Sequence, residues 1–328
     1  MPPSQLQANN VDRLQANVMK QRTSGRVQPQ STLFLFLVAL IMAYSFLAGF
    51  SLAQKQPPKT GPDLLEVGSP SKPPGSNATP AEIKIVSYNI RWRSSDELRE
   101  ISKALTGDSV IGGAAIIGLQ EVDRNKKRTG YANTARALAE NLGMYYAWAA
   151  PPTAKSDQEE ETGVAILSRY PLTNIERLVL PHEGPAGRRR AALGATVKIG
   201  EANVRVYSVH AETRIPVARK LDQMRAVLQD LGHYPKTMPA IVLGDFNTWE
   251  VNAVDETTNL FKDAGFTTPF GNEPTFSTKV IISIELKLDW IWLRGLGPVN
   301  HGIDRKIEVS DHWPLWTVVG IKSAGKPR

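Results

Sequence analysis

Apolar residues along this chain fall into short runs rich in Val, Ile and Leu that stop abruptly at polar side chains. Ile83–Ile90, Ala114–Leu119, Val164–Leu167, Ala191–Ile199, Asn203–His210, Ala240–Leu243, Leu288–Leu293 and Trp313–Val319 each read as a buried strand. Helical spacing appears at Asp96–Leu105, Tyr131–Leu142, Ile215–Leu231 and roughly Val251–Ala264. Ser95 stands as a cap before the first, and Gly143, Gly232 and Gly265 stop the other three. Strands outnumber helices and do not alternate regularly with them. That argues against a doubly wound parallel sheet and for an α+β arrangement of two packed sheets with helices outside.

A different pattern precedes the strands. Thr32–Ala53 carries no charge, and about 20 apolar residues suffice to cross a bilayer core. Of the formal net charge of +7, Asp12, Arg13, Lys20, Arg22 and Arg26 place +3 before this segment and leave +4 for everything after it. The positive flank keeps the N-terminus in the cytoplasm and sends the rest across. Two readings stand: a membrane anchor, or a signal segment cleaved after Ser51-Leu52-Ala53, with Met19 as an alternative start. In both, the body is extracytoplasmic. The expected organisation is a basic tail over 1–31, the apolar segment over 32–53, a Pro-rich linker over 54–80, one domain over 81–322 and a short tail over 323–328. The chain has no Cys, which removes disulfide frameworks, thiolate metal sites and Cys nucleophiles. The mild charge of the body permits an anionic substrate without marking a nucleic-acid footprint.

Four of the apolar runs end in acidic or amide motifs: IVSYN at Asn89, IIGLQEVD at Glu121, IVLGDFN at Asp245 and Asn247, and SDHWP at Asp311 and His312. A single Asp after a strand is usually a turn residue. Several carboxylates converging on one cleft repel one another unless a cation sits between them, so their joint occurrence points to a divalent-metal hydrolase.

The same segments resemble the endonuclease/exonuclease/phosphatase superfamily, the fold typified by pancreatic deoxyribonuclease. YNIRW, LQEVDR, TGVAILSRYP, VHAE, GDFN, LDWIW and SDHWPL follow the order of its motifs, and the resemblance spans Ile83 to Val319. It implies a four-layer α/β/β/α sandwich of two mixed sheets, Mg2+ as cofactor with Mn2+ as a substitute, and a monomer acting on a phosphodiester or phosphomonoester. Glu121 is implied as principal metal ligand, with Asn89 and Asp311 completing the site directly or through water. Asp245 is implied to deprotonate the attacking water and Asn247 to donate to a phosphoryl oxygen. His312, held by Asp289, and His210 are implied to face the phosphate. The family often carries an Arg at the strand start that here follows Arg188-Arg189-Arg190, and both Arg189 and Arg190 fit that place. Arg219 and Gln223 read as a structural pair on one helix face. Two departures are visible: Thr162-Gly163-Val164 replaces the more usual aromatic and Gly-Asn, and Ala211 follows His210 where Leu is commoner.

A fold does not choose a substrate. The body leaves no room for an obvious apolar hairpin that would dip into a membrane, and Trp313-Pro314 stands where inositol-phosphate phosphatases place a basic residue. Trp249 after GDFN reads as a base-stacking residue or as core packing. Lys126-Lys127-Arg128 reads as a path for a nucleic-acid backbone or as a solvated loop. The expectation is an exported or membrane-anchored phosphodiesterase or endonuclease. A phospholipid or inositol-phosphate phosphoesterase is the alternative, and an inactive tethered binding module is the alternative of another class.

Overall fold

Strands buried on both faces read as near-continuous apolar runs, and the strands assemble accordingly. The computed structural model describes residues 64–72, 79–152, 161–279 and 283–321. The basic tail, the apolar segment 32–53 and the tail 323–328 therefore lie outside the described residues. Among the described residues no helix is long and apolar enough to cross a membrane.

The strands are β1 (Leu65–Gly68), β2 (Glu82–Asn89), β3 (Ile116–Arg124), β4 (Tyr145–Ala149), β5 (Glu161–Ser168), β6 (Leu172–Val179) and β7 (Ala191–Ile199). They continue as β8 (Ala202–His210), β9 (Ala240–Asp245), β10 (Phe276–Lys279), β11 (Ser283–Leu286), β12 (Asp289–Arg294), β13 (Pro298–Ile303) and β14 (Leu315–Gly320). The helices are α1 (Ser95–Gly107), α2 (Thr134–Leu142), α3 (Val217–Leu231) and α4 (Ala253–Asp263). One sheet has seven strands in the order β1-β4-β5-β3-β2-β14-β13, and the other has five in the order β12-β9-β8-β7-β6. Both are mixed, because β2 pairs with β3 and β8 with β9 in parallel while the other pairs are antiparallel.

Three apolar layers hold the sandwich together. Ile85, Ile116, Ile166, Leu193, Val206, Leu243 and Ile291 fill the space between the sheets. Ile101, Leu105 and Leu138 cover the outer face of the seven-stranded sheet from α1 and α2. Met224, Val227 and Phe261 do the same for the five-stranded sheet from α3 and α4. This is the expected α/β/β/α order. At Gly118 the sheets come so close that a Cβ there would stand 1.9 Å from Leu243 Cδ1. The tight approach brings the polar ends of β3 and β9 to one cleft.

Local boundaries moved for physical reasons. The helix expected from Tyr131 begins at Thr134, since Asn133 is the capping residue and its side chain accepts from the Arg136 N–H. The linker expected over 54–80 is partly wrong: Leu64 is fully buried and β1 pairs antiparallel with β4. Leu65, Val67 and a single Glu supplied too short an alternation to stand out among prolines. Strands β10 (FSTK) and β11 (SIEL) form a separate two-stranded pair that is largely polar, unlike the apolar, membrane-dipping hairpin the sequence left no room for.

Candidate active site

The register of the five-stranded sheet places three functional residues side by side. Asp245 at the end of β9 pairs with His210 on β8 and with Asp289 on β12. Gly244, at φ 137°, precedes it, and a Cβ there would meet the Val209 carbonyl oxygen at 2.0 Å. Only glycine allows that conformation and that approach. On the facing sheet, Asn89 ends β2 opposite Gln120 of β3. Gln120 Nε2 donates to Ser208 Oγ at 3.1 Å, and Ser208 Oγ donates to the Leu119 carbonyl at 3.1 Å, tying the two sheets beneath the cleft.

Glu121 is not at a strand end, as its motif suggested, but inside β3 at a bulge between Gln120 and Val122. Its φ is 56°. The bulge takes Glu121 out of the ladder and turns its side chain to the cleft. Asn89 Nδ2 then lies 3.0 Å from Asp245 Oδ2 and 3.4 Å from Glu121 Oε1. Two carboxylates thus converge on one buried amide.

Burial pushes the Asp245 carboxyl up to about 7, with the nearby Asp289 and Glu121 charges adding to the rise and His312 opposing it. Asp245 also accepts from the Asn247 N–H at 2.9 Å, and Asn247 holds φ 54° while its Nδ2 donates to the Ala211 carbonyl at 3.0 Å.

The two histidines are tuned in opposite directions. Burial opposes a charge on His312, yet Asp289 at 2.8 Å from its Nδ1, followed by Asp245 and Asp311, raises its pKa to about 10. It is an imidazolium at neutral pH, with Nε2 3.8 Å from Asp245 Oδ2. Asp289 is fixed in turn by Thr275 Oγ1, which donates at 2.7 Å. His210 is driven well below its usual pKa by burial, then by Arg190 and His312. Its Nδ1 faces Arg190 Nη1 at 3.3 Å. A guanidinium only donates, so Nδ1 accepts and the proton sits on Nε2, 3.6 Å from Asp245 Oδ2 and 4.0 Å from Glu121 Oε1.

Of the candidate arginines, the structure selects Arg190. It is mostly buried beside His210 and shares Glu212 with Arg188, whereas Arg189 turns outward to Glu183. Arg189 is therefore outside the cleft. Asp311 is held by Arg91, whose Nη1 lies 2.8 Å from its Oδ2, and reaches Asn89 only through Ser310. Gln223 is structural, with its amide accepting from the Glu212 N–H and donating to the Pro181 carbonyl, while Arg219 is exposed on the helix. Trp249 donates to the Thr213 carbonyl.

Sequence reasoning missed several supports. Lys220, almost fully buried, donates to the Asn247 carbonyl and to both Glu250 oxygens at 2.7 Å. Glu212, Arg91 and Thr275 were equally silent, because a partner distant in sequence leaves no local pattern.

The donor chemistry fits a hard divalent cation. Glu121 Oε1 and Asp245 Oδ2 converge on the Asn89 amide, and oxygen-bearing groups gathered in this way suit a hard cation. Asp245, Asp289 and His312 also have ligating atoms within 4.8 Å of one another. There Asp289 holds the His312 ring through Nδ1 at 2.8 Å and leaves Nε2 toward Asp245 at 3.8 Å.

The model of the Endonuclease/Exonuclease/phosphatase family matches residues 86–312. The chain belongs to that family. Solved structures agree on the fold. An endonuclease/exonuclease/phosphatase from Beutenbergia cavernae is similar over 75% of this chain and 73% of its own, with 19% identity and a TM-score of 0.61. A family member from Leptotrichia buccalis is similar over 73% of this chain and 100% of its own, with 17% identity and a TM-score of 0.58. TDP2 from D. rerio, solved with a single strand DNA product, is similar over 74% of this chain and 100% of its own, with 18% identity and a TM-score of 0.57. A search of the curated proteins gave no significant match. Membership in this family makes the chain a phosphoesterase or nuclease-type hydrolase in general terms.

Proposed function

We propose that this protein is a divalent-metal-dependent phosphodiesterase acting on nucleic acid, with its body on the far side of a membrane. The observation that carries the reading is the buried set of groups around Asp245: a base with a raised pKa, the His312 imidazolium 3.8 Å from it and a neutral His210 at 3.6 Å. Glu121 with Asn89 and Asp311, directly or through water, would hold a divalent cation, which would supply polarisation of the phosphoryl oxygen. Asp245 takes the proton of the attacking water. The His312 imidazolium, oriented by Asp289, donates to a phosphoryl oxygen as negative charge gathers there. Asn247, with one amide proton used on Ala211, offers the other, and Arg190 adds positive charge behind His210. A DNA product in a TDP2 of the same fold supports a nucleic-acid substrate. The extracytoplasmic location rests on the charge asymmetry around Thr32–Ala53.

The full chain is to be assayed in parallel on oligonucleotides, phospholipid and inositol phosphates, with Mg2+, Mn2+ or chelator. Oligonucleotide cleavage that vanishes in chelator and in Glu121→Gln is expected. Turnover persisting in excess chelator overturns metal dependence, and cleavage confined to lipid or inositol phosphate overturns the substrate. A reporter that works only in the cytoplasm, fused to the C-terminus, stays dark if the location holds; a bright one refutes it.

A further inference from the structure

The cleft wall beside the acidic groups contains an aromatic feature that hydrolysis does not use. After Asn89 the chain turns through Arg91 and Trp92, at φ 47° and 45°, a left-handed conformation that bulky residues rarely adopt. The turn is anchored on the acidic strand: the Trp92 N–H donates to the Glu121 carbonyl at 2.9 Å, and the Ile90 N–H to the Gln120 carbonyl at 3.1 Å. The indole is thereby fixed one backbone hydrogen bond from Glu121.

The surroundings of Trp92 differ from those of a core tryptophan. Trp148, Trp290 and Trp292 are fully enclosed, whereas Trp92 is half-buried and joins none of the apolar clusters. Guanidiniums frame it instead. Arg128 lies 4.2 Å from the ring centroid, Arg91 5.6 Å and Arg93 6.0 Å. Arg128 is preorganised, since Asp123 accepts from its Nε and Nη2 at 2.6 and 2.9 Å. Lys127, exposed beside it, extends the positive charge outward.

A half-buried ring with Arg128 over it, its framing arginines already paired with Asp123, Asp311 and Glu97, matches a ligand that brings a π-face as well as phosphates. A lipid headgroup or an inositol phosphate supplies anions but no ring, and would leave the indole unused. Bases in a duplex have their faces covered by neighbours, so an accessible face belongs to a single strand. Resting on the phosphodiesterase reading, we propose that Trp92, framed by Arg91, Arg93 and Arg128, is a stacking subsite for a nucleobase next to the scissile phosphate, with single-stranded nucleic acid as its ligand.

The test is the binding of a labelled single-stranded oligonucleotide by full-length Asp245→Asn protein in Mg2+, read by fluorescence anisotropy. A strand of equal length with abasic linkers throughout is the comparison. Trp92→Ala is expected to weaken the intact strand by about fivefold to a hundredfold and the abasic strand by less than about twofold, the scatter of an uninvolved contact. Trp92→Phe should retain most of the affinity. Trp92→Leu, which keeps apolar volume without a ring face, should behave as Trp92→Ala and serves if the alanine variant melts early. Equal losses on both strands, or none on either, overturn the proposal. Base-dependent losses without any hydrolysis by the wild type would leave the subsite standing and refute the hydrolase reading. Normal hydrolysis without a base-dependent loss would refute only the subsite.

Discussion

Replacing Asp245 by Asn separates chemistry from stability. The carboxylate accepts from Asn89 Nδ2 and from the Asn247 N–H, and the amide keeps the second bond while setting its own NH2 against that of Asn89. The distance from the ordinary 3.8 to about 7 corresponds to a ceiling of roughly 4 kcal/mol at 1.36 kcal/mol per pH unit. The sign follows from which state holds the proton. A carboxyl with a raised folded pKa contributes its full stability below about 3.8 and loses it as pH rises through about 7. The variant is therefore expected to melt at the same or a higher temperature than wild type at pH 8, the gain being reduced by the lost attraction to His312. Activity should move the other way. Loss of the base lowers kcat by about 10²- to 10⁴-fold. The wild-type rate should climb with pH to a plateau, with a midpoint at about 7 or below once a cation at Glu121 lowers the Asp245 pKa. Thermal melts and pH–rate profiles from pH 5 to 9 on one oligonucleotide measure both. A variant within a few-fold of wild type, or one that keeps the acid limb, would refute Asp245 as the base.

Asp289→Asn removes the main partner of the His312 imidazolium, so its pKa should fall from about 10 toward or below the ordinary value. The stability that wild type holds below about pH 6.5 and loses toward pH 10 should then flatten; a ring-proton titration by NMR that stays above 9 sinks the assignment. Lys220→Met strips a buried ammonium from Glu250 and the Asn247 carbonyl, and urea unfolding should report a loss of about 3 kcal/mol, with under 1 kcal/mol refuting the support role. Lys287 is nearly buried, its amine has no hydrogen-bond partner among the described residues, and it faces the Trp290 ring at 4.5 Å. Burial pushes its pKa down to about 8. Wild-type stability should therefore rise between about pH 8 and 10.5, whereas Lys287→Met should be flat there and at least as stable at pH 7; a less stable variant at pH 7 argues against it.

The legible parts of this fold were those whose cause is local. Strand β7 was read with its observed bounds because Ala191–Ile199 is enclosed on both faces apart from Lys198. Strand β9 was read short by two residues, since Gly244 and Asp245 break the apolar run while the ladder continues beside β8 and β12. β6 and β13, at sheet edges and with no fully buried residue, gave no regular alternation to detect. Family motifs located Asn89, Glu121, Asp245 and His312, but not the bulge that turns Glu121 into the cleft. Choosing Arg190 over Arg189 needed the side-chain directions themselves.

Strand β1 changes how the protein can be cut. It covers the open edge of β4 through the pairs Leu65–Ala149 and Val67–Ala147, and Glu66 receives the Tyr146 hydroxyl at 2.7 Å and Arg124 at 3.3 Å. A fragment begun at Ala81, where the sequence reading started the domain, would bare the N–H and C=O groups of β4, take Glu66 from Arg136, and leave Arg124 with Glu161 alone of its two carboxylates. An uncovered edge of this kind templates pairing with another copy. Such a fragment would gather into oligomers or aggregates through β4, and its lost activity would misreport a defect of the cleft.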